Sequence, residues 1–186
     1  MIPYAIERRP DTGVNNVTLG IWLFLASEVM LFGALFSAYA LIRSAAAVWP
    51  AGRTVLSLRI ATANTAILAV ATAAVWRAHA DGRRARAWIV AASGLAAAFL
   101  ALKTVEYTGE WSRGLRPSTS TFFATYFTLT GLHALHVVAG IAANTWAAAG
   151  AAWTDGRGAG RRHALALYWT FVDVVWWLLV AILYLA

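Results

Sequence analysis

Few residues in this 186-residue chain could do chemistry where they lie. Glu28 sits in LASEVMLFG (Leu25 to Gly33), a stretch otherwise apolar or small. Glu106 and Asp173 lie in two further apolar runs, and TGLHALHV (Thr130 to Val137) carries His133 and His136. A carboxylate or imidazole in hydrocarbon is costly, so each is expected to hold a proton, a partner or both. Two roles fit Glu28: a proton-linked site, or an interhelical hydrogen bond that fastens packing. For Glu106 and Asp173 the interhelical bond is the expectation.

The histidine pair is three residues apart, so both rings share one helical face. Two imidazoles could begin a metal site, but no Glu-x-x-His pattern accompanies them. A haem held by two histidines needs them on opposite sides of the ring, which one helix cannot supply. The pair is therefore read as hydrogen-bonding, with Glu28 as the natural partner of His133 or His136. The chain has no cysteine, which excludes disulfides, thiolate metal sites and thiol catalysis. No phosphate-binding glycine loop or Gly-x-Ser-x-Gly elbow is present.

The elements that must carry these residues are membrane helices. Hydrophobic residues make up 61% of the chain and charged residues 12%, against about 25% charged in soluble domains. Five runs reach the roughly 20 residues that a bilayer requires: 18–43, 55–76, 85–107, 119–150 and 163–186. Residues 1–17 form a mostly polar leading segment with no signal-peptide pattern. The second run, rich in Ala and Thr, is expected to be a closely packed interior helix. The fold predicted is an all-α integral membrane bundle of five transmembrane helices.

The net charge of +7 resides in arginines between the runs, which sets topology and does not indicate nucleic acid. Arg8, Arg9, Arg77, Arg83, Arg84, Arg86, Arg157, Arg161 and Arg162 fall on one side. Arg43, Arg53, Arg113 and Arg116 fall on the other. The positive-inside rule then predicts a cytoplasmic N-terminus and a C-terminus outside. Arg59, Lys103, Arg161 and Arg162, near predicted helix ends, are candidates for lipid contact by snorkelling or by headgroup attraction.

Several motifs converge on one family. GIWLFLASEVMLFGALFSAY (Gly20 to Tyr39), NTAIL (Asn64 to Leu68), LKTVEY (Leu102 to Tyr107), LTGLHALHVVAG (Leu129 to Gly140) and YWTFVDVVWWLLVAILYL (Tyr168 to Leu185) occur in that order. Together they resemble helices three to seven of subunit III of haem-copper terminal oxidases. The resemblance implies an accessory subunit of a proton-pumping complex that reduces O2 to water. Such a subunit packs on subunit I, alongside subunit II and sometimes a small subunit IV. It binds structural phospholipid and sustains proton uptake and turnover. Haem and copper belong to the partner subunits, and none is expected in this chain. The implied location is the bacterial cytoplasmic membrane.

Two departures stand out. Long members of the family begin with two further helices, whereas this chain corresponds to the short five-helix form, in which another subunit can supply the pair. Thr170 occupies a position where the family commonly has His. A quinol oxidase subunit or a nitric oxide reductase accessory would fit the same pattern. A small independent transporter is the alternative of another class. It would be expected to show inverted repeats, and none is visible in the sequence.

Overall fold

The computed structural model describes residues 10, 13–149 and 156–186. Arg8, Arg9, Trp153 and most of the leading segment lie outside the described residues. The order is α1 (Asn16–Ala45), α2 (Gly52–Val55), α3 (Leu58–Ala80), α4 (Ala85–Ser112), α5 (Thr121–Ala149) and α6 (Gly156–Val180). A π turn, Ala181–Leu185, completes the last helix. Five of the helices are long and apolar enough to cross a membrane. Asn15 starts α1 by accepting the Thr18 N–H at 2.8 Å, a side-chain cap of the expected type.

Helices α3, α4, α5 and α6 pack in a ring, each against the next, and α1 lies in the outer groove between α5 and α6. The α3–α4 contact is the most extensive. Small residues are buried on both helices: Ala61, Ala71 and Ala78 on α3 and Ala85, Ala92 and Ala96 on α4 are fully or almost fully enclosed. In lipid no hydrophobic force drives helices together, so close approach of small residues supplies the attraction. The second predicted run is thus an inner helix, as its composition implies, though α6 is buried more deeply. Trp169 and Trp176 of α6 are wholly enclosed. Outward faces remain apolar, as with Leu23, Val29 and Met30 on α1, the surface a lipid solvent requires.

Most boundaries shift by a few residues from those predicted, and three of the shifts are informative. The run beginning at residue 55 is two elements, because the chain turns at Leu56 and Ser57 between α2 and α3. Helix α4 continues through Thr108, Gly109 and Glu110, which the sequence suggested were loop. The last helix starts at Gly156, seven residues before the predicted start. In the last two cases buried contacts override weak local breakers. Trp49, in the segment between α1 and α2, packs edge-on between Tyr39 and Phe122.

Two glycines mark close approaches that a Cβ would obstruct. A Cβ on Gly52 would lie 1.7 Å from the Leu183 carbonyl oxygen. A Cβ on Gly140 would lie 2.8 Å from the Trp169 ring and 3.1 Å from Tyr168. The first obstacle is backbone and cannot rotate away. The second is side chain and can partly yield. Gly140→Ala is therefore expected to cost about 1–3 kcal/mol, the usual range for overpacking. Gly52→Ala should cost more, because α2 must leave the C-terminal turn. Thermal unfolding of the purified complex, read at this subunit, checks the order; equal losses would contradict it.

Candidate functional site

Helix α1 touches the bundle along one narrow seam. Its buried residues Leu25, Phe32 and Tyr39 recur every seven positions. Glu28 follows Leu25 by three and precedes Phe32 by four, so it points along the same seam. On α5 the buried stripe runs through Leu129, His133, Val137, Gly140 and Asn144. His136 stands beside this stripe. Three residues turn a helix through about 300°, so His136 is rotated some 60° from His133 toward α1.

That rotation decides the pairing. His136 Nε2 lies 2.8 Å from Glu28 Oε2. The two side chains are 12% and 15% exposed, so the pair sits at the rim of the bundle, neither sealed nor open. His136 Nδ1 lies 2.8 Å from the Leu132 carbonyl oxygen, which can only accept. Nδ1 therefore carries a hydrogen. One proton then occupies the Glu28–His136 contact, either on the carboxyl or on Nε2. The pair is neutral overall in both arrangements, which suits a medium that resists net charge. Phe32 stands edge-on to the imidazole at 5.1 Å. The Tyr168 hydroxyl donates to the His136 carbonyl oxygen at 2.7 Å, bringing α6 to the same level.

His133 does not share this site. It is 1% exposed, stacks on Trp176 at 5.3 Å and meets the edge of Phe99 at 5.7 Å. Neither ring nitrogen has a hydrogen-bond partner among the described residues. The expectation that His133 serves as an interhelical polar partner is thus corrected: its face turns it into the aromatic core. Asp173 is corrected likewise. Its Oδ1 is buried and has no hydrogen-bond partner among the described residues, so the expected interhelical bond is not made through that atom.

A second polar cluster occupies the C-terminal half of α4. Lys103 donates to Glu106 Oε2 at 2.8 Å, Tyr126 at 3.0 Å and Tyr184 at 2.7 Å, which uses all three ammonium hydrogens. Tyr184 in turn donates to Glu106 Oε1 at 2.9 Å. Glu110 follows one turn later and pairs with Arg113 at 3.3 Å. Glu106 therefore links α4 to the C-terminal π turn, an interhelical contact made through a tyrosine.

Lys103 is not the lipid-facing residue predicted; it is 2% exposed. Because α4 continues nine residues beyond it, the ammonium lies about 13 Å below the helix end, too deep to snorkel. Lys103, Glu106, Glu110 and Arg113 fall at i, i+3, i+7 and i+10. That spacing on one face was the available signal for a buried ladder. Tyr126, Tyr168 and Tyr184 had no such signal, because nothing local marks a tyrosine as a bridge.

The remaining candidates separate. Arg59 is exposed at the start of α3. Arg161 is half-buried, with its guanidinium 5.3 Å over the Trp146 ring. Arg162 is 8% exposed, with its guanidinium against Gly82 in the α3–α4 turn. Thr170 accepts the Trp76 indole N–H at 2.9 Å and so fastens α6 to α3. Among the described residues no cluster of three or more His, Asp or Glu could hold a metal.

The family model for cytochrome c oxidase subunit III matches residues 10–186. The chain belongs to that family. It is 35% identical to subunit 3 of the cytochrome bo(3) ubiquinol oxidase of Pseudomonas aeruginosa, over 94% of this chain and 87% of that one. It is 36% identical to cytochrome c oxidase subunit 3 of Thermostichus vulcanus, over 90% and 86%. It is also 31% identical to part of a haem-copper oxidase subunit I+III of Aeropyrum pernix, over 99% of this chain and 24% of that longer one. In this subunit III chain the five long helices make a multi-pass membrane protein.

The Lys103 cluster yields a double-mutant test. Lys103→Met leaves Glu106 buried without its counter-ion, and removing one member of a buried pair costs about 3–5 kcal/mol. Adding Glu106→Leu removes the stranded charge and should restore much of that loss. The measurement is thermal stability of the complex for both singles and the double. Additive losses would show that the two residues are not a unit.

Proposed function

We propose that this chain is the accessory subunit III of a proton-pumping respiratory oxidase of the bacterial cytoplasmic membrane, which reduces O2 to water. It packs against subunit I, with subunit II and a small subunit IV in the same complex, and holds phospholipid. Its own residues carry no redox centre. The relatives divide between ubiquinol and cytochrome c oxidases, so the shared reaction, not the donor, is proposed. The existence of a relative in which subunits I and III form one chain favours direct contact with subunit I. The distribution of arginines favours an N-terminus in the cytoplasm and a C-terminus outside.

The observation that carries a functional role is the Glu28–His136 contact, one proton held between a carboxyl and an imidazole deep in a membrane span. We assign it a proton-linked role that sustains proton uptake by the neighbouring subunit during turnover. A carboxyl and imidazole in contact can exchange that proton without creating net charge. The pair's position at the rim of the bundle leaves it within reach of an adjacent subunit or lipid.

The test is Glu28→Gln. The Gln amide can still donate to His136 Nε2, so the complex should assemble with normal haem absorbance. It can no longer move the proton, so activity should decay faster than wild type under sustained turnover. Wild-type decay would leave Glu28 a fastener only. Glu28→Leu, which strands the imidazole nitrogen, should also loosen the subunit, at about 1–3 kcal/mol for one unsatisfied buried group. A colourless homo-oligomer that moves protons in liposomes would overturn the oxidase reading itself.

A further inference from the structure

Another set of basic groups gathers at the arginine-rich end of the bundle, away from Glu28. His79, in the last turn of α3, and His163, on α6, have ring centroids 5.1 Å apart. Trp76 stands edge-on to both, at 5.8 and 6.1 Å. Its indole N–H is committed to Thr170, so α3 and α6 are joined at this level and the two imidazoles are held in place. His79 Nδ1 is enclosed and meets no hydrogen-bonding group among the described residues.

Arg162 lies beside the pair. It is within electrostatic reach of His79 and 8% exposed. Its Nη2 passes 3.2 Å from the point where a Cβ on residue 82 would sit, so Gly82 leaves room for the guanidinium. The acid nearest in sequence is Asp81, the C-cap residue of α3. Arg77, Arg83, Arg84 and Arg86 surround this turn in sequence. Trp76, 39% exposed, puts the cluster at the edge of the bundle, where Trp commonly meets the headgroup layer.

Two imidazoles beside a guanidinium suit an anion. A zinc ion would need further protein ligands, which the described residues do not provide here, and would be repelled by Arg162. A phosphate oxygen is a strong acceptor for imidazole and guanidinium N–H groups, and the field of the nearby arginines favours it. We propose that His79 and His163, with Arg162 beside them, bind a phosphate-class anion. Its source is either the phosphodiester of an anionic phospholipid or free inorganic phosphate. The proposal rests on this chain being assembled in its oxidase and gives one location to the lipid binding proposed above.

The test uses the purified whole complex, as wild type, as His79→Gln/His163→Gln and as His79→Gln/His163→Lys. Native mass spectrometry counts the phosphatidylglycerol retained, with phosphatidylcholine as comparison. In a second arm the delipidated complex is heated with inorganic phosphate or with chloride at equal ionic strength. The double Gln variant should hold one anionic phospholipid fewer, or rebind it about tenfold more weakly, the scale of one charge-assisted hydrogen bond. The Lys variant, which keeps a cationic donor, should retain binding.

A response to phosphatidylglycerol alone assigns the site to lipid, and a response to phosphate alone assigns it to the soluble anion. Either supports the proposal. Unchanged lipid retention together with no phosphate response overturns it, as does equal loss in the Gln and Lys variants. A preparation without haem absorbance would instead fail the oxidase reading, which keeps the two failures distinct.

Discussion

Hydrocarbon offers no hydrogen bonds, so a polar group inside a membrane span must find its partner in protein. In this chain that requirement selects which helices meet. Lys103 has three ammonium hydrogens, and each reaches a different oxygen: one on α4, one on α5 and one on the C-terminal π turn. Glu28 places a carboxyl on the most exposed helix, and its partner on α5 draws α1 into the groove beside α6. The apolar seam of α1 alone buries only one residue about every two turns. Without the Glu28 contact that helix would have little to define its depth.

The two polar clusters meet the requirement differently. Around Lys103 every ammonium hydrogen is used, both Glu106 oxygens are engaged and almost nothing reaches solvent. Such a network is rigid and has no spare proton position, which suits a fastener. The Glu28–His136 pair keeps a small exposure at the rim of the bundle, joins only two side chains, and has two alternative places for one proton. That difference in saturation and access, more than depth, separates the structural cluster from the proposed functional one.

Between them lies an aromatic core centred on Trp176. His133 stacks on one face, Phe99 meets it edge-on at 4.9 Å, and the Lys103 ammonium lies 5.4 Å from its ring. Its indole N–H is satisfied by Thr65 at 3.0 Å, so the same residue joins α6 to α3. The π turn after Val180 extends this arrangement. It brings Tyr184 inward toward Lys103 and leaves the Ile182 carbonyl oxygen for the Tyr39 hydroxyl at 2.5 Å. The C-terminal turn thereby closes on α1, α2 and α4 together.

Sequence alone determined that the chain spans a membrane five times, since length and hydropathy of a run depend only on local composition. The combination of motifs also carried the family, while the seven-residue seam that sets Glu28 on the inner side of α1 emerged only with the packed helices. Tertiary structure decided everything that depends on rotation about a helix axis. His133 and His136 share a motif, yet a turn of about 60° sends one into the aromatic core and the other to Glu28. Lys103 reads as a snorkelling residue until the continuation of α4 to Ser112 buries it among tyrosines from distant parts of the chain. Composition sets whether a residue lies in the membrane, but which partner it meets is set by the angle and height at which other helices pack, and no local pattern encodes that.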